Sequence, residues 1–437
     1  MKQVNSFEIQ ARESLCIEIE TENQQQVNQT QTSNSGISLK KASDFQCFTV
    51  SMKLFFGLSY LSIPNTFKLA GVIGGVIMLS FVTIINFLTM NQCLSVAKQF
   101  PGVKSYSELG FRVFGKRGKF LVDVTVCTTQ LACCIAHQFF SAKSLDFILC
   151  TYSDQVHCYG DKLYMLLITI PVIIFSFLGS YRELAYLSIP ALFITISGLI
   201  TLYIYSLQKI ASTYNDETSD EINWFNLYAM LGRIGTVMYI FTGNPSIINI
   251  QSEAKNYQKY PKILRNVVLC LLVLFNIYGL LAYLGYRNGT QPIFMMSIQP
   301  LDKIILLVIL GFCFNSMTSY PLQILTAFQI IERLDAYENI RMQPQIKRCL
   351  TRSLIIVTVT GICFIVPNFT DFLNISGSVG ATFSSFIIPQ LLYMKVFKDR
   401  MNIYQKIGCL MLIAFGIFGS ACSLTFTINR LVNGDNQ

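Results

Sequence analysis

The sequence predicts an all-α integral membrane protein with 11 transmembrane helices, in a five-plus-five inverted-repeat arrangement whose helices 1 and 6 are broken. Three observations support this prediction. Of the 437 residues, 52% are hydrophobic and 13% are charged, against about 25% charged in soluble proteins. Apolar stretches of about 20 residues, long enough to span a bilayer, recur between residues 45 and 428. Glycine and proline interrupt two of these stretches, which lie five spans apart.

Residues 1–43 differ from the rest of the chain and are predicted to form a disordered cytosolic tail. They are rich in Gln, Asn, Ser, Thr and Glu and lack a helical apolar period, so they cannot bury enough surface to offset the entropy of ordering. They do not open with a basic segment followed by an apolar stretch, as a signal peptide would. Residues 44–430 are predicted to form a single transmembrane domain.

Positive charges predict which way the spans point. With a cytosolic N-terminus, 24 Lys and Arg residues fall in the tail and inside loops and seven fall outside, which fits the positive-inside rule. The same orientation places the sequons at Asn288 and Asn368 outside, as candidate glycosylation sites. The net charge of +9 does not indicate a nucleic-acid partner, because the basic residues are spread over short loops.

The two interruptions predict where a ligand binds. They are Gly57-Leu58-Ser59, followed by Pro64, and Gly243-Asn244-Pro245. Unwound backbone at membrane depth is tolerated only where it is buried in protein or lines a cavity, so two such breaks indicate a site between them. Freed amides would favour a carboxylate and freed carbonyls a cation. The candidate substrate-binding residues are Gly57, Leu58, Ser59, Tyr60, Thr242, Gly243 and Asn244.

Four stretches also resemble a known family. They are KLFFGLSYLSIPNTF from Lys53, FTGNPSIINIQSEAK from Phe241, SYPLQ from Ser319, and Gly377-Ser378 followed by Pro389, Tyr393 and Lys395. In this order they resemble the amino acid/auxin permeases, the amino acid transporter transmembrane family, and are most similar to its system A/N neutral amino acid transporter branch.

The resemblance implies a LeuT-like fold of the APC superfamily and a function. The function is secondary active transport of small neutral amino acids across the lipid bilayer by alternating access, coupled to H⁺ or Na⁺, with no cofactor. An amino-acid-binding nutrient sensor that moves no net substrate is the alternative, since its binding site would look the same in sequence. An enzyme is not expected, because no zinc-protease motif or paired catalytic carboxylates occur. Either the plasma membrane or a lysosomal or vacuolar membrane would suit such a protein.

The intramembrane polar residues leave open whether the coupling ion is H⁺ or Na⁺. Lys53 and Val50 stand where sodium- and proton-coupled relatives carry other residues. Lys53 either replaces the coupling cation or extends to the interface, as Arg233 is expected to do. His137 is either a buried hydrogen-bonded residue or a proton relay. Thr318 and Ser319 either help to ligate sodium or bond their own helix.

The 14 cysteines do not form a disulfide framework, because most lie inside apolar stretches. Cys150 and Cys158 flank an outside loop and are candidates for one disulfide, with free thiols as the alternative. No set of ligands sufficient for a metal site is present.

Overall fold

The computed structural model describes residues 41–153, 158–177, 181–213, 221–334, 337, 339, 342–366 and 368–433. The predicted tail, residues 1–43, lies outside these ranges apart from its last three residues. The helices, in chain order, are α1 Asp44–Phe55, α2 Ile63–Ala70, α3 Val72–Ala97, α4 Tyr106–Tyr152, α5 Asp161–Phe177, α6 Tyr181–Thr213, α7 Leu227–Gly232, α8 Ile234–Ile240, α9 Asn244–Glu253, α10 Tyr260–Tyr286, α11 Lys303–Ile331, α12 Pro344–Cys363, α13 Phe369–Ser376, α14 Ile388–Val396 and α15 Ile403–Asn433.

Within the described ranges, seven helical segments are long and apolar enough to cross a membrane, or eight if α1 and the bent helix after it count as one span. Three other predicted spans fall on helices that do not meet this test. One is only 17 residues long (α5), one is divided into three pieces (α7–α9), and one opens with Lys347, Arg348 and Arg352 (α12). The helical membrane fold is therefore confirmed, whereas the count of 11 stays a prediction.

The first broken helix, α1 with α2, bends by 46° where glycine was expected to interrupt it. Helix α1 ends at Phe55, and Gly57 adopts an extended conformation (φ −78°, ψ 174°). A 3₁₀ turn, Leu58–Ser62, then leads into α2, which carries Pro64 in its first turn. Proline is tolerated there because first-turn amides have no intrahelical acceptor. The predicted break is thus present, with Gly57 at its centre.

The second broken helix, α7–α9, is interrupted twice rather than once. The two breaks are labelled inner and outer according to the predicted orientation, with the N-terminus in the cytosol. The inner break lies at Phe241–Gly243, where the sequence predicts it. The outer break lies at Arg233 (φ −104°, ψ 6°), which the sequence analysis did not anticipate. Pro245 occupies the first turn of α9, so it starts that helix and removes no hydrogen bond. The seven-residue helix α8 therefore stands between two breaks.

A run of π-helix, Gly377–Ile387, joins α13 to α14. Such helices are rare and mostly occur as single turns at functional sites. The run begins where the chain crosses α8 at very close range, since a Cβ atom on Gly377 would clash with the carbonyl oxygen of Gly235. This crossing explains why glycine stands at both positions.

Candidate functional site

A cavity of about 80 Å³ lies between the two broken helices. The first broken helix contributes Leu54, Phe55, Gly57, Leu58 and Ser59, and the second contributes Tyr239, Ile240, Thr242, Pro245 and Ser246. Helix α4 forms a third wall and α11 adds one residue, Gln323. Among the described residues, no Asp, Glu, Lys or Arg lines this cavity, so its polar character comes from hydroxyls, amides, a thiol and an imidazole.

The start of the outer half of the first broken helix faces this cavity. Gly57, Leu58 and Ser59, three of the predicted substrate-binding residues, all line it. Gly57 is the N-cap of the 3₁₀ turn and no side chain caps that turn. The first amides of a helix lack intrahelical acceptors and carry the positive end of the helix dipole. This end of the cavity therefore suits a carboxylate.

The inner break of the second broken helix lies directly against the first. Thr242 lines the cavity, and its hydroxyl donates to the carbonyl of Met238 at 2.8 Å. Gly243 lies behind the wall, where an added Cβ would come within 2.7 Å of the Phe55 ring. A side chain at Gly243 would push the two breaks apart, so the glycine permits their close approach.

Two other predicted substrate-binding residues do not line the cavity. Tyr60 is fully buried and stacks on Phe275 with ring centroids 5.8 Å apart. Asn244 is also fully buried, and its side-chain amide donates to the carbonyl of Ser384 in the π-helix at 3.2 Å. Tyr60 belongs to an aromatic cluster, whereas Asn244 connects α9 to the π-helix.

The third wall was largely missed by the sequence analysis. Thr129, Gln130, Cys133 and His137 of α4 line the cavity, and of these only His137 was singled out. The hydroxyl of Tyr239 donates to the Cys133 sulfur at 3.3 Å and so joins this wall to α8. The signal for this wall in the sequence is the polar run Thr128-Thr129-Gln130. It is not sufficient by itself, because the side of a 47-residue helix that faces a cavity cannot be assigned without knowing which helices lie next to it.

His137 is the titratable imidazole of this wall, and its hydrogen bonds define its protonated nitrogen. Its Nδ1 atom lies 3.2 Å from the hydroxyl of Ser316, which donates its single hydrogen to the carbonyl of His137 at 2.9 Å. The Ser316 oxygen therefore accepts from Nδ1–H of the neutral ring. Nε2 is left as the nitrogen that can accept a proton.

The other coupling-ion candidates lie outside the cavity lining. The Thr318 hydroxyl donates to the carbonyl of Asn315 at 3.0 Å, and the Ser319 hydroxyl donates to the Asn315 side chain at 3.2 Å. Both hydroxyls therefore bond within their own helix, which is the alternative to ligating sodium. Lys53 lies in the last turn of α1 and is half-buried.

Arg233 is not an interfacial residue, and that prediction is wrong. Its side chain is fully buried, and Nη1 lies 2.6 Å from Oδ1 of Asp371, which is also buried. Arg430 lies 3.3 Å from the same oxygen, and the Arg233 guanidinium lies 5.3 Å from the centre of the Phe426 ring. A buried carboxylate offsets the cost of burying the charge, and no local sequence signal reveals a partner so distant in the chain.

The features predicted to lie outside the membrane are the Cys150–Cys158 pair and the two sequons. A disulfide joins Cys150 and Cys158. Asn288 is exposed, which keeps its glycosylation open as a prediction. Asn368 instead caps α13, and its side-chain amide donates to the Asp371 carboxylate, so glycosylation there would compete with a structural bond.

Across the ranges described, no three His, Cys, Asp or Glu side chains gather as metal ligands would.

Two solved structures share this architecture. A Na⁺-coupled sialic acid symporter in a substrate-bound, outward-open state superposes with a TM-score of 0.54 at 13% identity, covering 87% of this chain and 88% of that one. A manganese transporter from Eremococcus coleocola superposes with a TM-score of 0.55 at 13% identity, covering 90% and 89%. These likenesses confirm the LeuT-like inverted-repeat fold, and at 13% identity they concern the fold alone.

Comparisons of sequence identify the family. Residues 40–429 match the model of the "Transmembrane amino acid transporter protein" family. The chain is 25% identical over 395 residues to amino acid transporter AVT3B of Arabidopsis thaliana, covering 88% of this chain and 94% of that protein. It is 26% identical over 375 residues to vacuolar amino acid transporter 4 of Saccharomyces cerevisiae, covering 80% and 52%. The match spans nearly the whole membrane domain, and the chain belongs to the transmembrane amino acid transporter protein family.

Proposed function

We propose that this protein is a secondary active transporter that carries small neutral amino acids by alternating access. One observation carries the proposal, namely an uncharged cavity of about 80 Å³ between two broken helices. One wall of that cavity is the uncapped start of a half-helix. Membership of an amino acid transporter family supports amino acids as the substrate class.

The size and polarity of the cavity favour a small neutral side chain. A cavity of roughly 150 Å³ is known to hold benzene, so about 80 Å³ leaves room for only a few heavy atoms unless the walls move. A charged substrate side chain would enter without an opposite charge, and burying an unpaired charge is costly. The half-helix amides would bind the substrate carboxylate, and the hydroxyl of Thr242 stands on the facing wall.

Alternating access would use the two breaks as hinges. Each break separates an outer from an inner half-helix, and Gly57 and Gly243 tolerate backbone rotations that other residues resist. The halves can therefore tilt separately around a substrate that stays between them. The sensor alternative needs the same binding site without net movement, and measured uptake separates the two.

Protons are the coupling ion that we favour. His137 lines the cavity and presents a proton-accepting nitrogen, whereas the Thr318 and Ser319 hydroxyls already bond their own helix. A sodium site built on those hydroxyls would require them to turn. A lysine at position 53, one turn before the break at Gly57, would also repel a cation held by nearby carbonyls.

We infer that the N-terminus faces the cytosol, from the distribution of 24 positive residues inside and seven outside. A vacuolar or lysosomal membrane is favoured over the plasma membrane, since a yeast relative is named as a vacuolar amino acid transporter. The outer side of the protein would then face the organelle lumen.

Uptake into liposomes tests this function directly. Purified protein would be reconstituted, and labelled alanine, glutamate and lysine would be offered with pH and sodium gradients imposed separately. We expect alanine uptake that rises with a proton gradient and ignores sodium. Binding of alanine without uptake under any gradient would favour the sensor, and preferred uptake of glutamate or lysine would contradict the neutral substrate class.

A further inference from the structure

The outer break of the second broken helix is held open by a side chain from another helix. In a regular helix the amide of Thr236 would donate to the carbonyl of Gly232. Here it donates to Oδ1 of Asn374 at 2.8 Å and, in a tighter turn, to the carbonyl of Arg233 at 3.1 Å, while Nδ2 of Asn374 donates to the carbonyl of Gly232 at 2.7 Å. The Asn374 amide, which comes from α13, therefore replaces one hydrogen bond of the helical ladder.

The same amide is anchored on its far side by α15. Nδ2 of Asn374 also donates to the hydroxyl of Thr427 at 2.8 Å, and the hydroxyl of Ser423 accepts from the amide of Gly235 at 2.9 Å. Asn374 is fully buried and both ends of its amide are bonded. A satisfied buried polar group of this kind fixes one geometry, because any shift leaves a polar atom without a partner.

The helix that begins at this break ends at the cavity. Helix α8 carries Tyr239 and Ile240, which line the cavity, and it leads into Thr242, which also lines it. At its inner end the carbonyl of Phe241 accepts from the side-chain amide of Asn86 at 3.0 Å. Helix α8 is thus a short rod held at each end by an asparagine from a neighbouring helix.

We propose that Asn374 is a positioning residue for transport, which sets the place of α8 and thereby the wall formed by Tyr239, Ile240 and Thr242. It lies outside the cavity lining, so it acts on the substrate through α8. Without its amide, Thr236 N–H can close directly onto the Gly232 carbonyl, and the outer break straightens. This inference rests on the proposed function for its transport readout, but not for its binding readout.

Two substitutions and a matched control test the proposal. Asn374→Leu keeps the branched shape and the number of heavy atoms but removes every hydrogen bond of the side chain, including those to Thr236 and Gly232. Asn374→Asp keeps the acceptor for Thr236 and loses the donor to Gly232. Asn276→Leu is the control. Asn276 is a half-buried asparagine that donates to the carbonyl of Leu272 in its own unbroken helix at 2.8 Å and to the hydroxyl of Ser80 at 3.4 Å, so it bonds a neighbouring helix without bridging a break. Labelled alanine is the probe in each case. For each variant, the alanine Kd, the uptake KM and Vmax, and the ligand-free melting temperature would be measured.

We expect Asn374→Leu to weaken alanine binding and raise KM about tenfold, the change expected when the wall loses about one good hydrogen bond to substrate. Asn374→Asp should fall between this variant and the parent, and Asn276→Leu should stay close to the parent. A lower melting temperature with parental Kd and KM would overturn the proposal and leave Asn374 a structural residue.

If Asn374→Leu does not fold, Ser423→Ala gives the same test more mildly, since it removes only the bond to Gly235. It should raise Kd in the same direction, and a parental Kd would again overturn the proposal. Failure of the proposed function looks different. In that case the parent itself would bind alanine without uptake, and the comparison of Kd values among the variants would still decide the role of Asn374.

Discussion

The side-chain amide of Asn244 donates a hydrogen bond of 3.2 Å to the main-chain carbonyl of Ser384. The same carbonyl accepts from the hydroxyl of Tyr106 at 3.1 Å. Ser384 lies in the π-helix, whose bonds are spaced differently from those of an α-helix and can leave carbonyls open to other partners. The inner half of the second broken helix is therefore tied to the π-helix at the residue that follows its glycine.

Filling the break of the first broken helix should weaken substrate binding. Gly57 lines the cavity, so the side chain of Gly57→Leu would occupy space that the substrate needs. We expect alanine affinity to fall at least about tenfold, equivalent to roughly 1.4 kcal/mol, in an equilibrium binding assay. Gly361→Leu is the matched control, because an added Cβ at Gly361 meets nothing within 4 Å. Equal affinity in both variants would place the substrate elsewhere.

Replacing His137 should separate proton coupling from substrate exchange. His137→Gln keeps a hydrogen-bonding side chain beside Ser316 but cannot accept a proton near neutral pH. We expect the variant to exchange labelled for unlabelled alanine in liposomes while its uptake no longer responds to a pH gradient. Thr318→Val should behave as the parent. A parent that requires sodium, together with loss of that requirement in Thr318→Val, would refute the proton mechanism.

The buried ion pair predicts an unusual order of stabilities. Asp371→Leu leaves the buried Arg233 without its carboxylate, which should cost about 3–5 kcal/mol. Arg233→Met should cost less, because Asp371 keeps Arg430 at 3.3 Å. The double variant should recover much of the loss of Asp371→Leu. Melting temperatures of the three purified variants would give this order, and a double variant worse than both singles would contradict the pairing.

Asp302, the half-buried N-cap of α11, predicts a pH dependence of stability. The hydroxyl of Tyr205 and the amide of Ile305, the latter at 2.8 Å, donate to its carboxylate and hold its pKa below the ordinary value of 3.8. A lowered folded-state pKa gives stability that is present above the unfolded pKa of about 3.9 and lost as pH falls through the folded pKa.

The melting-temperature gap between the parent and Asp302→Asn should therefore stay constant from pH 7 to pH 5 and shrink below about pH 4. Tyr205→Phe should reproduce part of this gap. A gap that widens in acid would have the wrong sign for this assignment.

The disulfide predicts the sidedness of labelling. Disulfides persist in oxidising compartments, so Cys150 and Cys158 should face away from the cytosol. In sealed vesicles with the cytosolic side outward, an impermeant maleimide added after reduction should label the exposed Cys349 and leave Cys158 unlabelled until detergent is added. Labelling of Cys158 in sealed vesicles would reverse the proposed orientation.

Features with a local cause could be predicted from the sequence. Gly57 and Gly243 mark the two expected breaks because glycine and proline act on the backbone where they stand. Four of the seven predicted substrate-binding residues line the cavity for the same reason, namely Gly57, Leu58, Ser59 and Thr242.

Features with a distant cause could not be predicted in this way. At the break beside Arg233, the amide of Thr236 bonds Asn374, 138 positions further along the chain. Arg233 itself is buried against Asp371, which is also 138 positions away. Predicting the wall formed by α4 requires knowing which helices lie next to one another. The sequence contains these partners but no signal that pairs them.

The short helix α8 also acts as a lever. Seven residues at about 1.5 Å each make a rod of roughly 10 Å, with a break in the helix at either end. A tilt of about 20° around Arg233, the size of an ordinary helix kink, would carry the far end through roughly 3–4 Å. That displacement exceeds the width of a water molecule, so a small rotation at Arg233 would move the cavity wall at the other end of α8 far enough to admit or exclude water.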